Sequence, residues 1–245
     1  MTGWINISTD DRAFESSMGP HLCRGNSLGG ILKDIREGVK PKCDSVAVGF
    51  SRRLQACKRF ARYTEYEQQM SVEDLPTVVF MRKPQFMEDN PSAVEVEYAD
   101  EWLRNHPDIL EALMTGCPDS RPLDDKVFSA KVHQDEQEVV VVGSPGKISV
   151  KDIEINVYTE VDHLRRMGMF EHRSIYEIGI KDVVSDMAEF TGRIKALVEK
   201  EIGGLVNSDD FLKVSVHLCQ DTMNLMDEKS SKCALYDKFY LEGKK

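Results

Sequence analysis

The chain has 245 residues, 41% of them hydrophobic and 30% charged, with a formal net charge of −10. That is enough apolar material for one large core or two modest ones, which excludes a disordered chain. So acid a balance also excludes a surface given over wholly to nucleic acid, while leaving room for a local basic patch.

Trp4 to Ile7 alternates and reads as a short strand. Glycines at 19, 25, 29 and 30 punctuate the next segment, and Leu28, Ile31, Leu32 and Ile35 recur at helical spacing, so a short helix is expected from Ser27 to Glu37, ended by Gly38 and Pro41. A strand near Val46 leads into a helix from Arg52 to about Glu67 with Phe50, Leu54, Cys57 and Ala61 on one stripe. The other faces of that helix hold Arg52, Arg53, Lys58, Arg59 and Arg62, the one concentrated basic surface in the sequence. Thr77 to Arg82 is a second β-rich run, stopped by Pro84, and Glu88 to Pro91 is turn-like. Ala93 to Glu97 alternates briefly, and Tyr98 to Arg104 reads as helical. Pro107 and Asp108 open a further helix, at positions where a missing amide costs nothing and a carboxylate meets the positive end of the dipole. Residues 117–125, with two prolines and three acids, are a linker candidate. It divides an N-terminal α/β region, 1–116, from a C-terminal α+β region, 126–245, unless the two form one continuous domain. Lys126 to His133 is read as a strand around Val127.

The clearest local pattern lies between Glu138 and Tyr158. Val139 to Val142 are four β-branched residues in a row, which pack well on a pleated surface. Gly143, Ser144, Pro145 and Gly146 form a reversal signal, and a β-rich run returns through Ile148 and Val150, then Ile153, Ile155 and Val157. Parity changes at Lys151 and Asp152. Since side chains alternate faces with period two, keeping both apolar sets inward requires a β-bulge, or else a turn and a new strand. The segment is read as a bulged β-hairpin arm, with Val140, Val142, Pro145, Ile148 and Val150 as partner-binding residues.

Beyond it, Glu160 to Met169 is expected as a short helix and Ser174 to Ile180 as a strand. Val183, Met187, Phe190, Ile194 and Leu197 form a core-facing helical stripe that continues to Glu201 and stops at Gly203 and Gly204. Phe211 to Cys219 alternates, with Leu212, Val214, Val216 and Leu218 on one face and Lys213, Ser215, His217 and Cys219 on the other. The tail from Asp221 is read as a short helix. The fold class expected is α+β: a mixed or antiparallel sheet with a prominent bulged hairpin, packed against two main helices, Arg52 to Glu67 and Val183 to Glu201.

Six cysteines, Cys23, Cys43, Cys57, Cys117, Cys219 and Cys233, are scattered without a CxxC pair. In a chain of this length they read as free thiols in a reducing compartment. The first residues show no signal-peptide pattern, and no apolar run approaches the roughly 20 residues of a membrane helix. A cytoplasmic location is expected, with incorporation into a particle compatible with it, and no membrane partner.

Two His-x-Cys pairs, His21 with Cys23 and His217 with Cys219, have the strand spacing that points an imidazole and a thiolate the same way, and together they would make a zinc set. Asp10, Asp11, Asp119, Asp124, Asp125, Asp152, Glu154, Asp209 and Asp210 are the carboxylates from which a metal-dependent nuclease would draw. The lysine such enzymes place two residues after the acid is missing, because Asn156 follows Glu154 at that distance. Cys57 lies among cations that would favour a thiolate, but it sits on the apolar stripe and reads as core. Gly25 to Gly30 lacks the lysine and hydroxyl of a phosphate loop and reads as a turn. Neither a metal nor a cofactor is expected.

The function this supports is a non-enzymatic assembly subunit of a larger complex, a viral or phage particle component among the candidates, whose partners are other copies of itself or neighbouring subunits. Two alternatives are carried forward. One is a metal-dependent hydrolase acting on nucleic acid. The other is a nucleic-acid-binding module built on the basic helix 51–67, with Tyr63 and Tyr66 beside it for stacking.

Overall fold

Alternation sets the sheet. Leu212, Val214 and Val216 face one way and Lys213, Ser215 and His217 the other, and the same period-two division runs through every long strand. In chain order the strands are β1 His21–Ser27, β2 Ala47–Ser51, β3 Pro76–Arg82, β4 Ala93–Glu95, β5 Glu138–Val142, β6 Ile153–Glu160, β7 Phe211–Cys219 and β8 Cys233–Glu242. They form one eight-stranded mixed sheet of order β4-β5-β2-β1-β3-β6-β7-β8. The structure is a computed structural model and describes residues 21–41, 47–63, 71–114, 120–132, 134, 137–160, 164, 167–169, 180–207, 210–219 and 233–242. The expected strands at Trp4 and Ile175 and most of the expected helix 160–169 lie outside the described residues.

Seven helices, rather than two, cover the sheet among the described residues: α1 Leu28–Glu37, α2 Leu54–Tyr63, α3 Lys83–Asp89, α4 Asp100–Asn105, α5 Pro107–Met114, α6 Leu123–Val132 and α7 Ile180–Ile202. On one face, Val79, Ile155, Val157, Leu212, Val214 and Val216 have no exposed surface and meet Met187, Phe190, Ile194, Val198 and Ile202 of α7, which have none either. Of the expected stripe on α7, Met187, Phe190 and Ile194 are core and Leu197 packs partly buried against it, while the Val183 side chain lies outside the described residues. α1 joins this layer with Leu28, Ile31, Leu32 and Ile35, all buried as their spacing predicted. Its start is capped by Ser27, whose Oγ accepts the Gly30 amide at 3.2 Å, and Gly38 ends it at φ +78°.

The other face has two covers. α2 lies over β1 and β3, where Leu54, Cys57 and Ala61 pack on Cys23, Val78, Phe80 and Tyr158. It sits close because Gly25 has no side chain; a Cβ there would stand 1.7 Å from the Cys57 carbonyl oxygen. Farther along, Ile109 of α5 meets Ala47 of β2 and Val140 of β5, and Leu103, Leu110, Val127 and Ala130 tie α4, α5 and α6 into a small cluster of their own.

The expected hairpin does not form. β5 pairs with β2 on one edge and β4 on the other, while β6 pairs with β3 and β7, so three strands stand between them. Four successive antiparallel pairings also make β5 and β6 point the same way. Residues 143–152 therefore cross the sheet. Four steps at about 4.8 Å across the sheet, combined with a return of about 17 Å along the strand direction, amount to about 25 Å, inside the roughly 33 Å such a segment reaches when extended. The crossing is tied down by paired Val39 and Gly146 amides and carbonyls at 2.7 and 2.9 Å, and by Asn90, which accepts from the Lys147 amide at 2.7 Å and donates to its carbonyl at 3.0 Å. Ile148 and Val150 are buried in the main core. Asp152, at φ +55°, is the turn that resets parity, so of the two readings of the phase change the turn and new strand is the one found.

Other differences have local causes. The segment around Val127 is helical, with Asp124 and Asp125 in its first turn, Lys131 in its last, and Val127 and Ala130 buried three apart. Pro84 starts α3 rather than merely ending β3. Gly25 lies within β1 and Gly30 within α1, so residues 25–30 are a strand-to-helix join and not a turn. Phe50 belongs to β2 and to the opposite core from the α2 stripe. In the tail, Cys233–Glu242 is the edge strand β8. Leu123 to Asp125, placed in the linker candidate, open α6, and strands from both sides of 117–125 interleave in the one sheet. No helix among the described residues is long and apolar enough to cross a membrane.

Candidate functional site

Among the described residues β6 and β7 are the one parallel pair, joined through α7. On their α2-side face, register places Glu154 beside Lys213, Asn156 beside Ser215, and Tyr158 beside His217. Polar side chains on strands this deeply covered must find partners within the protein. They do so along a ladder in which β7 reaches back to β6. Lys213 Nζ donates to Glu154 Oε2 at 2.6 Å, Ser215 Oγ donates to Glu154 Oε1 at 3.0 Å, and His217 Nε2 bonds Asn156 Oδ1 at 2.6 Å. Because an amide oxygen only accepts, the last bond puts the imidazole proton on Nε2.

Glu154, Asn156 and Ser215 are respectively 5%, 3% and 1% exposed, so this is interior polarity. Tyr158 stacks on His217 with ring centroids 5.0 Å apart, and Lys58 Nζ, reaching down from α2, lies 5.4 Å from the Tyr158 ring centre. Burial, then Lys58, then Lys213 push the His217 pKa down to about 3. The imidazole is therefore neutral at any physiological pH. Glu154 accepts two strong donors, which leaves it poorly placed to act as a base. Among the described residues the ladder brings together two cations, Lys58 and Lys213, and the side-chain amide of Asn156 as groups that could meet a ligand.

The expected partner-binding residues are not gathered into an arm. Val140, Ile148 and Val150 are buried, Val142 is half-buried, and Pro145 alone of the five is exposed. The basic patch is reduced to Arg52, Arg53 and Arg59, which are exposed, since Lys58 is buried over Tyr158; the Arg62, Tyr63 and Tyr66 side chains lie outside the described residues. His21 and His217 occupy strands three positions apart, about 14 Å, and Cys23 is packed in the apolar cluster under α2. That separation rules out a zinc set drawing on both pairs. Cys57 is a buried free thiol, as its place on the stripe suggested. Asp10, Asp11, Asp119 and Asp209 lie outside the described residues. Asp124 pairs with Arg104 at 2.5 Å and Asp210 accepts from Asn207, so neither joins the bonds around Glu154. Among the described residues no three metal-ligating side chains converge.

Comparison with protein families, with curated proteins and with solved structures finds no match.

One surface had no counterpart in the sequence reading. On α6, Phe128 is 73% and Val132 66% exposed, one helical turn apart. The ladder was also missed as a unit. Its signal was the polar half of two otherwise apolar strands, Glu154, Asn156 and Tyr158 against Lys213, Ser215 and His217, which becomes a site only when the two strands are known to be neighbours.

Proposed function

We propose that the chain is a non-enzymatic subunit that assembles with further copies of itself, and that the contact is the outward face of α6 rather than the valine-rich ribbon. The observation that carries this is the exposure of Phe128 and Val132 side by side, the two most exposed large apolar side chains among the described residues. Helical spacing places Asp124, Asp125, Lys131, Phe128 and Val132 on one face. A second copy laid antiparallel across it brings the acidic start of one helix against Lys131 of the other, with Phe128 at the centre. The face is thus complementary to itself, as a two-fold contact requires. The intramolecular pairs Lys131 with Asp100 and Arg104 with Asp124 are exposed and cost little to exchange. A particle, viral or otherwise, needs a second contact. β8 lies at the sheet edge with no strand on its outer side among the described residues, which supports sheet extension there.

Light scattering on the purified chain tests the reading. The wild type is expected to run as a dimer or larger species at micromolar concentration, and Phe128→Asp as a monomer with an unchanged unfolding midpoint. A wild type that stays monomeric throughout contradicts it.

A second reading, nucleic-acid binding through α2, draws on Arg52, Arg53 and Arg59, with Phe60 51% exposed beside them. Its mark is affinity that falls with salt at a slope of about −2 to −3 for three phosphate contacts.

A further inference from the structure

We propose that the β6–β7 ladder is a binding site for a small oxyanion, a phosphate or carboxylate group, held by the side-chain amide of Asn156 between Lys58, Lys213 and His217. This stands apart from the assembly reading and does not depend on it.

Asn156 carries the main observation. Its Oδ1 is engaged by His217, while its Nδ2, with two hydrogens to give, is buried and meets no acceptor among the described residues. An interior amide donor left without an acceptor costs about 1–3 kcal/mol, so it marks a place where an acceptor belongs. The surroundings state the sign of that acceptor. Lys58 and Lys213 both act on His217 as positive charges, and His217 itself stays neutral and adds none. Glu154, the ladder's carboxylate among the described side chains, is engaged by Lys213 and Ser215 and points its oxygens at them. The other described polar side chains of the ladder, Lys58, Lys213, Ser215 and His217, are donors, with the stacked Tyr158 and His217 rings as a flat wall. Such a lining suits an anion with oxygen acceptors, as amide donors and ammonium groups do elsewhere. The depth limits the ligand to a small group, or to the anionic tip of a larger one, because Asn156 is 3% exposed.

The placement also explains the neighbours. Arg59 on α2, and Arg52 and Arg53 just before it, are exposed. Lys58 is instead buried, with its ammonium group over the Tyr158 ring, 5.4 Å from the centroid.

The experiment titrates inorganic phosphate and, in a separate arm, acetate into the full chain, following His217 by NMR across pH. An anion seated at Asn156 stabilises the imidazolium, so saturable binding must come with an upward move of the His217 titration. Asn156→Asp replaces the donor by a carboxylate of the same shape and should weaken binding by about tenfold or more. Where that variant does not fold, Lys58→Met serves instead with the same expected loss. Saturation by phosphate alone assigns a phosphoryl ligand, and saturation by acetate alone a carboxylate. Failure of both anions to saturate, a His217 titration that does not move, or undiminished binding in the folded variant overturns the proposal.

Discussion

Of the single side chains, His217 has the most direct consequence. Its folded-state pKa, about 3, lies below the roughly 6.5 of an unfolded histidine. The unfolded chain therefore takes up a proton that the native chain refuses as pH falls through 6.5. Stability is at its full value above that point and is lost progressively down to about pH 3, with a slope approaching about 1.4 kcal/mol per pH unit once the unfolded state is protonated. Between pH 7 and 5 most carboxylates remain ionised, so urea unfolding in that window should show a decline that His217→Gln largely removes. A pH-independent wild type there would mean that the imidazole is solvated. The identities of these residues were plain in the sequence, and their roles were not. Lys58 looked like one of five surface cations, and His217 like half of a metal pair. Helical phase turns the first inward, and the absence of β1 from beside β7 undoes the second.

Elements divide by how far their cause is local. α1, α5, α7 and β7 were legible from spacing, capping or alternation, and the structure buries Leu28, Ile31, Leu32 and Ile35, Ile109 and Leu110, Met187, Phe190 and Ile194, and Leu212, Val214 and Val216, although α7 starts at Ile180, ahead of the expected cap at Asp182. α6 was not. Lys126 to Val132 carries too little periodicity of either kind, and burial of Val127 and Ala130 against Leu103 and Leu110 decides for helix. The join at residues 25–30 was misread because glycine signals a turn and close approach equally well. Here it signals approach. With a Cβ at Gly25 only 1.7 Å from the Cys57 carbonyl oxygen, and other Cys57 and Ala61 backbone atoms within 2.8 Å, α2 would have to lift off β1. Gly25→Ala should accordingly lower stability by about 3 kcal/mol or more, or prevent folding, as thermal unfolding would report. A loss below about 1 kcal/mol would mean that the helix and strand are not in close contact.

At the scale of the whole molecule, strand content was accessible from pattern and strand order was not. The valine run of β5 says that both of its faces are covered, which is what the structure shows. It does not say that the next strand in the chain lies four places away, because that outcome rests on contacts remote in sequence, Val39 with Gly146 and Asn90 with Lys147. With the ribbon drawn into the sheet, the assembly reading passes to α6. Its central claim is that two copies meet with Phe128 of each at the axis. The most direct measurement is oxidation of Phe128→Cys, set beside Leu205→Cys, another exposed position, and read as covalent dimer on non-reducing gels. Rapid, near-complete cross-linking at position 128, against slow and partial cross-linking at 205, is the predicted result; equal and slow cross-linking at both positions would contradict the account.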